Sequence, residues 1–98
     1  MKKLTFIRDV NKVLTNQQKH GVSFEEAKSV FYDNYARLIA DPDSSQKEVR
    51  FLLLGLSNQL RLLLVCHCCR EAGKQLRIIS ARKANKSEQK QYEVFRDA

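Results

Sequence analysis

Two spacings of apolar positions alternate along this chain. Leu4-Thr5-Phe6-Ile7 has the length and make-up of a short first strand. Asp9 follows as a helix N-cap, and Val10, Val13 and Leu14 then recur at helical spacing. That helix is expected to end at His20-Gly21, because glycine takes the left-handed conformation that closes a helix. Ser23-Phe24-Glu25-Glu26 reads as a capping box, with Ser23 capping and Glu26 reaching back. Phe24, Ala27 and Phe31 continue one apolar face, so two short helices follow one another. The middle changes period. Tyr35–Ala40 is a strand candidate closed by the turn Asp41-Pro42-Asp43-Ser44-Ser45. Val49–Leu56 and Leu60–Cys68 are apolar strands around the loop Ser57-Asn58-Gln59. Glu71-Ala72-Gly73-Lys74 makes a second hairpin turn, and Gln75–Ser80 the last strand. Asn85 caps a final helix, Glu88 completes its capping box, and Tyr92 and Phe95 are expected to face inward. The order predicts one α+β domain over residues 1–98, with a mostly antiparallel sheet.

Charge alters this picture more than composition does. At 98 residues, 43% hydrophobic and 30% charged, the chain is ordinary globular material. Its net charge of +7 is large for that length and favours a polyanion or an acidic partner. The positive residues concentrate at both ends, while residues 21–60 are net acidic. No run approaches the roughly 20 apolar residues that span a bilayer, and Arg8 and Asp9 interrupt any leader-like stretch. A cytoplasmic location is expected, without membrane association. The cysteines agree: Cys66, Cys68 and Cys69 are odd in number and crowded, unlike a secreted disulfide framework.

Candidate chemistry is sparse. The run Cys66-His67-Cys68-Cys69 has metal-binding residue types, yet on a strand its members alternate between faces and cannot converge on one ion. The cysteines are read as small buried hydrophobes, and no metal or cofactor is expected. His20 sits at a helix C-terminus, where the dipole favours a cation, and His67 shares a strand face with Arg61, Leu63 and Val65. Each histidine alone has a bland structural reading. The cationic set Arg61, Arg70, Arg77, Arg82, Lys83 and Lys86 could be a solvated face, but Arg61 and Arg77 interrupt apolar strands. Guanidinium groups on rigid strands bind phosphate oxygens in pairs. A metal-free ribonuclease needs a base, an acid and cations for the phosphorane charge, and histidine with arginine and lysine can supply them. Tyr32, Tyr35 and Tyr92 are candidates for base stacking.

These residues also carry a resemblance. Asn16-Gln17-Gln18-Lys19-His20-Gly21-Val22-Ser23-Phe24-Glu25-Glu26-Ala27 resembles the N-x-x-K-H-G-V-S-F-x-E-A motif of the BrnT toxins. Asp41–Ser45 is similar to the family's D-x-x-H-S turn, and the strand from Arg50 to Ser57 to its E-x-R-x-x-x-x-G-x-S segment. Arg77-Ile78-Ile79-Ser80-Ala81-Arg82-Lys83-Ala84 matches its R-I-I-S-A-R-K-A signature at each position, and Tyr92-Glu93 resembles its terminal Y-E. The resemblance implies a RelE-like fold and a ribonuclease toxin that inhibits translation. It also implies neutralisation by a BrnA antitoxin with a ribbon-helix-helix part, in a complex that represses its own operon and so reaches operator DNA. Carried over, it points to His20, His67, Arg77 and Arg82 for catalysis, and to Lys12, Lys19, Arg61 and Lys83 for RNA. His20 or His67 would move protons, and Arg77 and Arg82 would hold the phosphate. The chain departs from the family where Phe6-Ile7-Arg8-Asp9 replaces F-E-W-D, where Ser44 replaces histidine, and where Cys68 and Cys69 replace threonine and an acidic residue. Two other classes compete: a basic nucleic-acid-binding module without catalysis, and an inactive antitoxin partner acting as corepressor.

Overall fold

The computed structural model describes residues 4–42, 49–70 and 74–97. Its elements are β1 (Thr5–Ile7), α1 (Val10–His20), α2 (Phe24–Ser29), a 3-10 turn (Val30–Tyr32), β2 (Arg37–Ala40), β3 (Arg50–Leu56), β4 (Leu62–Arg70), β5 (Gln75–Lys83) and α3 (Lys86–Asp97). The α+β class and the element order agree with the periodicity. The Asp43–Ser45 and Glu71–Gly73 portions of the two predicted turns lie outside the described residues.

The five strands form one sheet in the order β1-β5-β4-β3-β2. Hairpin neighbours run antiparallel, whereas β1 pairs parallel with β5 over Gln75–Arg77 only. The rest of β5 therefore has an outer edge that β1 does not cover. Several boundaries moved: β2 begins at Arg37 rather than Tyr35, and β4 runs on to Arg70 rather than Cys68. β5 continues to Lys83, and β4 begins at Leu62 because Leu60 takes a left-handed backbone with φ 61°. The 3-10 turn was not foreseen.

Each sheet face has its own core. On one, Leu53, Leu63, Val65, Ile78 and Ala81 pack against Val22, Phe24, Ala27 and Val30 from the helical layer. On the other, Leu54 and Leu64 meet Ala84 and Tyr92 beneath α3. Phe95 does not face inward as expected: it is half exposed, with the Arg37 guanidinium 5.7 Å over its ring. Burying Tyr92 satisfies α3, which is only one layer thick on an already paired sheet. Nor is Tyr92 available for stacking, since its hydroxyl donates to Asp33 Oδ2 at 2.7 Å and its pKa is pushed up to about 12, chiefly by burial. Tyr32 and Tyr35 are exposed.

Gly55 is a close-approach glycine. A Cβ there would stand 2.9 Å from both Ala36 Cβ and Val30 Cγ1. Neither atom is the end of a flexible chain, so Gly55→Ala should destabilise by about 1–3 kcal/mol, the cost of overpacking. A lowered urea midpoint at unchanged slope is the expected signature.

Candidate functional site

Residues opposite one another on neighbouring strands share a face. On the α3 side this places three rows in succession: Leu54, Leu64 and Arg82; then Leu52, Cys66 and Ser80; then Arg50, Cys68 and Arg77. α3 covers the first rows at its own end; beyond it Cys66 and Cys68 are buried, and Arg50 and Arg77 are half-buried. A cavity of about 330 Å³ lies there, bordered by Asp41, Pro42, Arg50, Leu52, Leu64, Cys66, Ser80 and Arg82.

Arg77 reaches this face only because β5 is irregular. Arg77 and Arg82 are five positions apart, an odd offset that would put them on opposite faces of a regular strand. The register slips between Cys66, opposite Ser80, and His67, opposite Ile78. Ile79 is the extra residue of a β-bulge, which re-aims the side chains beyond it. Ile78 consequently enters the helical-side core, and Arg77 joins Arg50 and Arg82. Arg50 was not singled out beforehand. Its signal was weak, an arginine opening an apolar strand.

A second groove of about 330 Å³ runs between α1 and β5. It is lined by Asn11, Lys12, Thr15, Asn16, Lys19, His20, Ile79 and Ser80. Lys12, Lys19 and His20 each lie three or four residues from Asn16, so one helical stripe carries them. α1 is well terminated, with Asp9 accepting from Lys12 N at 3.2 Å and Gly21 closing it at φ 68°. It buries no residue fully, and Val10 and Leu14 are exposed. Ser80 lines both this groove and the arginine cavity. Ser80 thus has the groove of Lys12, Lys19 and His20 on one side and the cavity of Arg82 and Arg50 on the other.

Arg82 is held in place. Its NH1 and NH2 donate to Glu88 Oε1 and Oε2 at 2.8 and 2.9 Å. Glu88 also accepts from Asn85 N, and Asn85 Oδ1 accepts from Glu88 N, completing the predicted capping box of α3. The Arg82 hydrogen bonds hold the Glu88 carboxyl below its ordinary value.

Three expected site residues, Arg61, Lys83 and His67, lie elsewhere. Arg61 donates to Glu26 through Nε at 2.8 Å and through NH2, and to the carbonyl of Gly21 at 3.0 Å. Glu26 is buried, accepts from Ser57 Oγ at 2.7 Å, and is held below the usual carboxylate range by the Arg61 bond. The Ser23 box is accordingly only half formed: Ser23 Oγ accepts from Glu26 N at 3.1 Å, but the Glu26 side chain turns inward. A larger cavity of about 420 Å³ next to Arg61 lies along α3 and includes Lys83, away from α1.

His67 is also interior, with 2% exposure, its ring 4.8 Å from Phe31 and 6.1 Å from Phe51. It shares its face with Leu63 and Val65 as expected, but that face is under the helices. Burial holds its pKa below 6.5. The unfolded chain therefore takes up a proton first as pH falls below about 6.5, and stability falls with it, by at most about 1.4 kcal/mol per pH unit. His67→Phe should flatten the melting temperature between pH 6.5 and 5, where the wild type declines.

Cys66 and Cys68 are buried on the arginine side of β4 and His67 on the opposite side, the divergence expected of a strand. Burial, then the Asp41 charge, pushes the Cys66 thiol up, so it is a poor nucleophile. Among the described residues no helix is long and apolar enough to cross a membrane.

Comparison with known proteins agrees with this architecture. No curated protein matches the chain in sequence. The 1.1 Å crystal structure of the Brucella abortus ribonuclease toxin BrnT superimposes with a TM-score of 0.60 at 24% identity, covering 88% of this chain and 100% of that one. That likeness speaks for the fold. The family model of the ribonuclease toxin BrnT of type II toxin–antitoxin systems matches residues 9–88, a span from the α1 cap to Glu88 that holds both grooves and the whole arginine face, and on that match the chain belongs to the BrnT toxin family.

Proposed function

We propose that this protein is a metal-independent endoribonuclease that blocks translation in the cytoplasm. A BrnA-type ribbon-helix-helix antitoxin silences it, and operator DNA is reached only through that complex. The reading is carried by the placement of Arg50, Arg77 and Arg82 on one strand face, where the cavity bordered by Arg50 and Arg82 meets the Lys12, Lys19 and His20 groove at Ser80. Rigid strands fix the guanidinium stems, and planar forks suit the oxygens of a phosphodiester.

His20 takes the proton of a ribose 2′-hydroxyl. The oxygen attacks the neighbouring phosphorus, and the bond to the 5′-oxygen breaks as that oxygen gains a proton from a lysine ammonium or water. The arginines oppose the charge that accumulates on the phosphorane. Lys12 and Lys19 hold flanking phosphates, and Lys83, exposed at the end of β5, adds to the field. Arg61 and His67 have structural duties in this scheme: one neutralises a buried carboxylate, the other packs the core.

Incubation of the purified protein with mRNA in EDTA tests this directly. Cleavage into fragments with 2′,3′-cyclic phosphate and 5′-hydroxyl ends is the expected result. Cleavage abolished by EDTA and restored by a divalent ion would remove the metal-free mechanism. The two-point clamp of Glu88 on Arg82 favours a second reading, a non-catalytic binding module or corepressor, whose mark is intact RNA bound in a salt-dependent way.

A further inference from the structure

We infer that Asn16 is the positioning residue of this site, the side chain that registers the lysine–histidine stripe of α1 against the arginine-bearing strand; the inference rests on the ribonuclease reading. α1 packs against β5 with a light apolar anchor. It buries no residue fully, and Val13 is its apolar contact with the core. Asn16 sits mid-stripe, four residues after Lys12 and three and four before Lys19 and His20.

Its amide joins three parts of the chain. Oδ1 accepts from Ala81 N at 3.0 Å, and Nδ2 donates to the Val22 carbonyl at 3.2 Å. Ala81 lies on β5 beyond the part that β1 pairs, so its N–H is an edge donor that no strand satisfies. It is also the residue after Ser80, where the two grooves meet. One carboxamide thus places α1 alongside the strand position from which Arg82 projects. Asparagine suits the task because its carboxamide sets a separate acceptor and donor on one short, planar stem, and both partners are backbone groups that cannot shift independently of their strand and loop. A side chain that only supported folding would have no reason to alter how many phosphates the protein neutralises.

The test is a titration with a fully 2′-deoxy single-stranded oligonucleotide, which binds without being cut, at several salt concentrations. Each phosphate neutralised contributes about 0.7 to the slope of log affinity against log salt. Asn16→Ala should lower the slope by about 1.4, the share of two lysines, and should lower kcat/KM on cleavable RNA at least tenfold at temperatures where it is folded. In a Lys12→Ala/Lys19→Ala background the same substitution should change the slope no further. Gln18→Ala, an exposed neighbour on α1, should behave as wild type. If Asn16→Ala does not fold, Asn16→Leu replaces it in the same cycle, removing both hydrogen bonds at similar side-chain volume and without added charge. A folded variant with wild-type slope and kcat/KM would overturn the inference while leaving the ribonuclease reading intact. A wild type that neither binds the oligonucleotide nor cuts RNA would overturn both.

Discussion

His20→Ala should slow single-turnover RNA cleavage by about 10²–10⁴-fold, the usual contribution of a positioned acid–base group, without lowering the melting temperature. The ring lines the α1 groove and is only part-buried, so its removal leaves no cavity in either core. Arg77→Ala is the companion variant. It should cost about 10²–10³-fold, as loss of one preorganised charge at the phosphorane does. Arg82→Ala also frees Glu88 and loosens the α3 cap; a fall in both activity and melting temperature is expected there. His67→Phe provides the contrast. Full activity in that variant together with loss in His20→Ala would assign proton transfer to the groove, and the reverse pattern would sink the mechanism proposed above.

The second large effect concerns stability. Glu26→Ala should destabilise by about 2–3 kcal/mol, the loss of charge-assisted hydrogen bonds to a buried group. Against a total of about 5–15 kcal/mol that is substantial, lowering the melting temperature by about 10–20 °C. The variant leaves the Ser57 hydroxyl and the Arg61 Nε without their acceptor. The sign of the pH dependence follows from the lowered Glu26 pKa. Its stabilisation is present above the unfolded value near 4.5 and is lost as pH falls through the folded value, so wild type and variant should converge in acid. Calorimetry at pH 7 and at successively lower pH checks both. A variant as stable as wild type at pH 7 would mean that Arg61 is not committed to Glu26, returning it to the RNA-binding candidates.

Local signals were legible in the residues themselves. Asp9, Ser23 and Asn85 cap the helices they were expected to cap, Gly21 closes α1, and the apolar runs of the middle became β3 and β4. Each of these is an interaction within a few residues, where spacing is geometry. The expectations that moved were those in which a distant partner outbid a near one. Glu26 had its own N-cap three residues away, yet Arg61 and Ser57, more than thirty residues distant, hold its carboxylate. Phe95 had the spacing of a core residue, but one buried tyrosine already docks α3.

The site divides in the same way. The cationic character of the chain, the residue types for phosphate chemistry and the family signature stand in the sequence alone, because they are properties of composition and order. Which cations meet was decided by the tertiary structure. A one-residue bulge at Ile79 turns Arg77 onto the face of Arg82, and the short β1 leaves the β5 edge open for Asn16 to seat α1 beside it. Strand facing alternates with period two, so a single inserted residue reverses it, and that insertion is a property of the pairing between two strands rather than of either one.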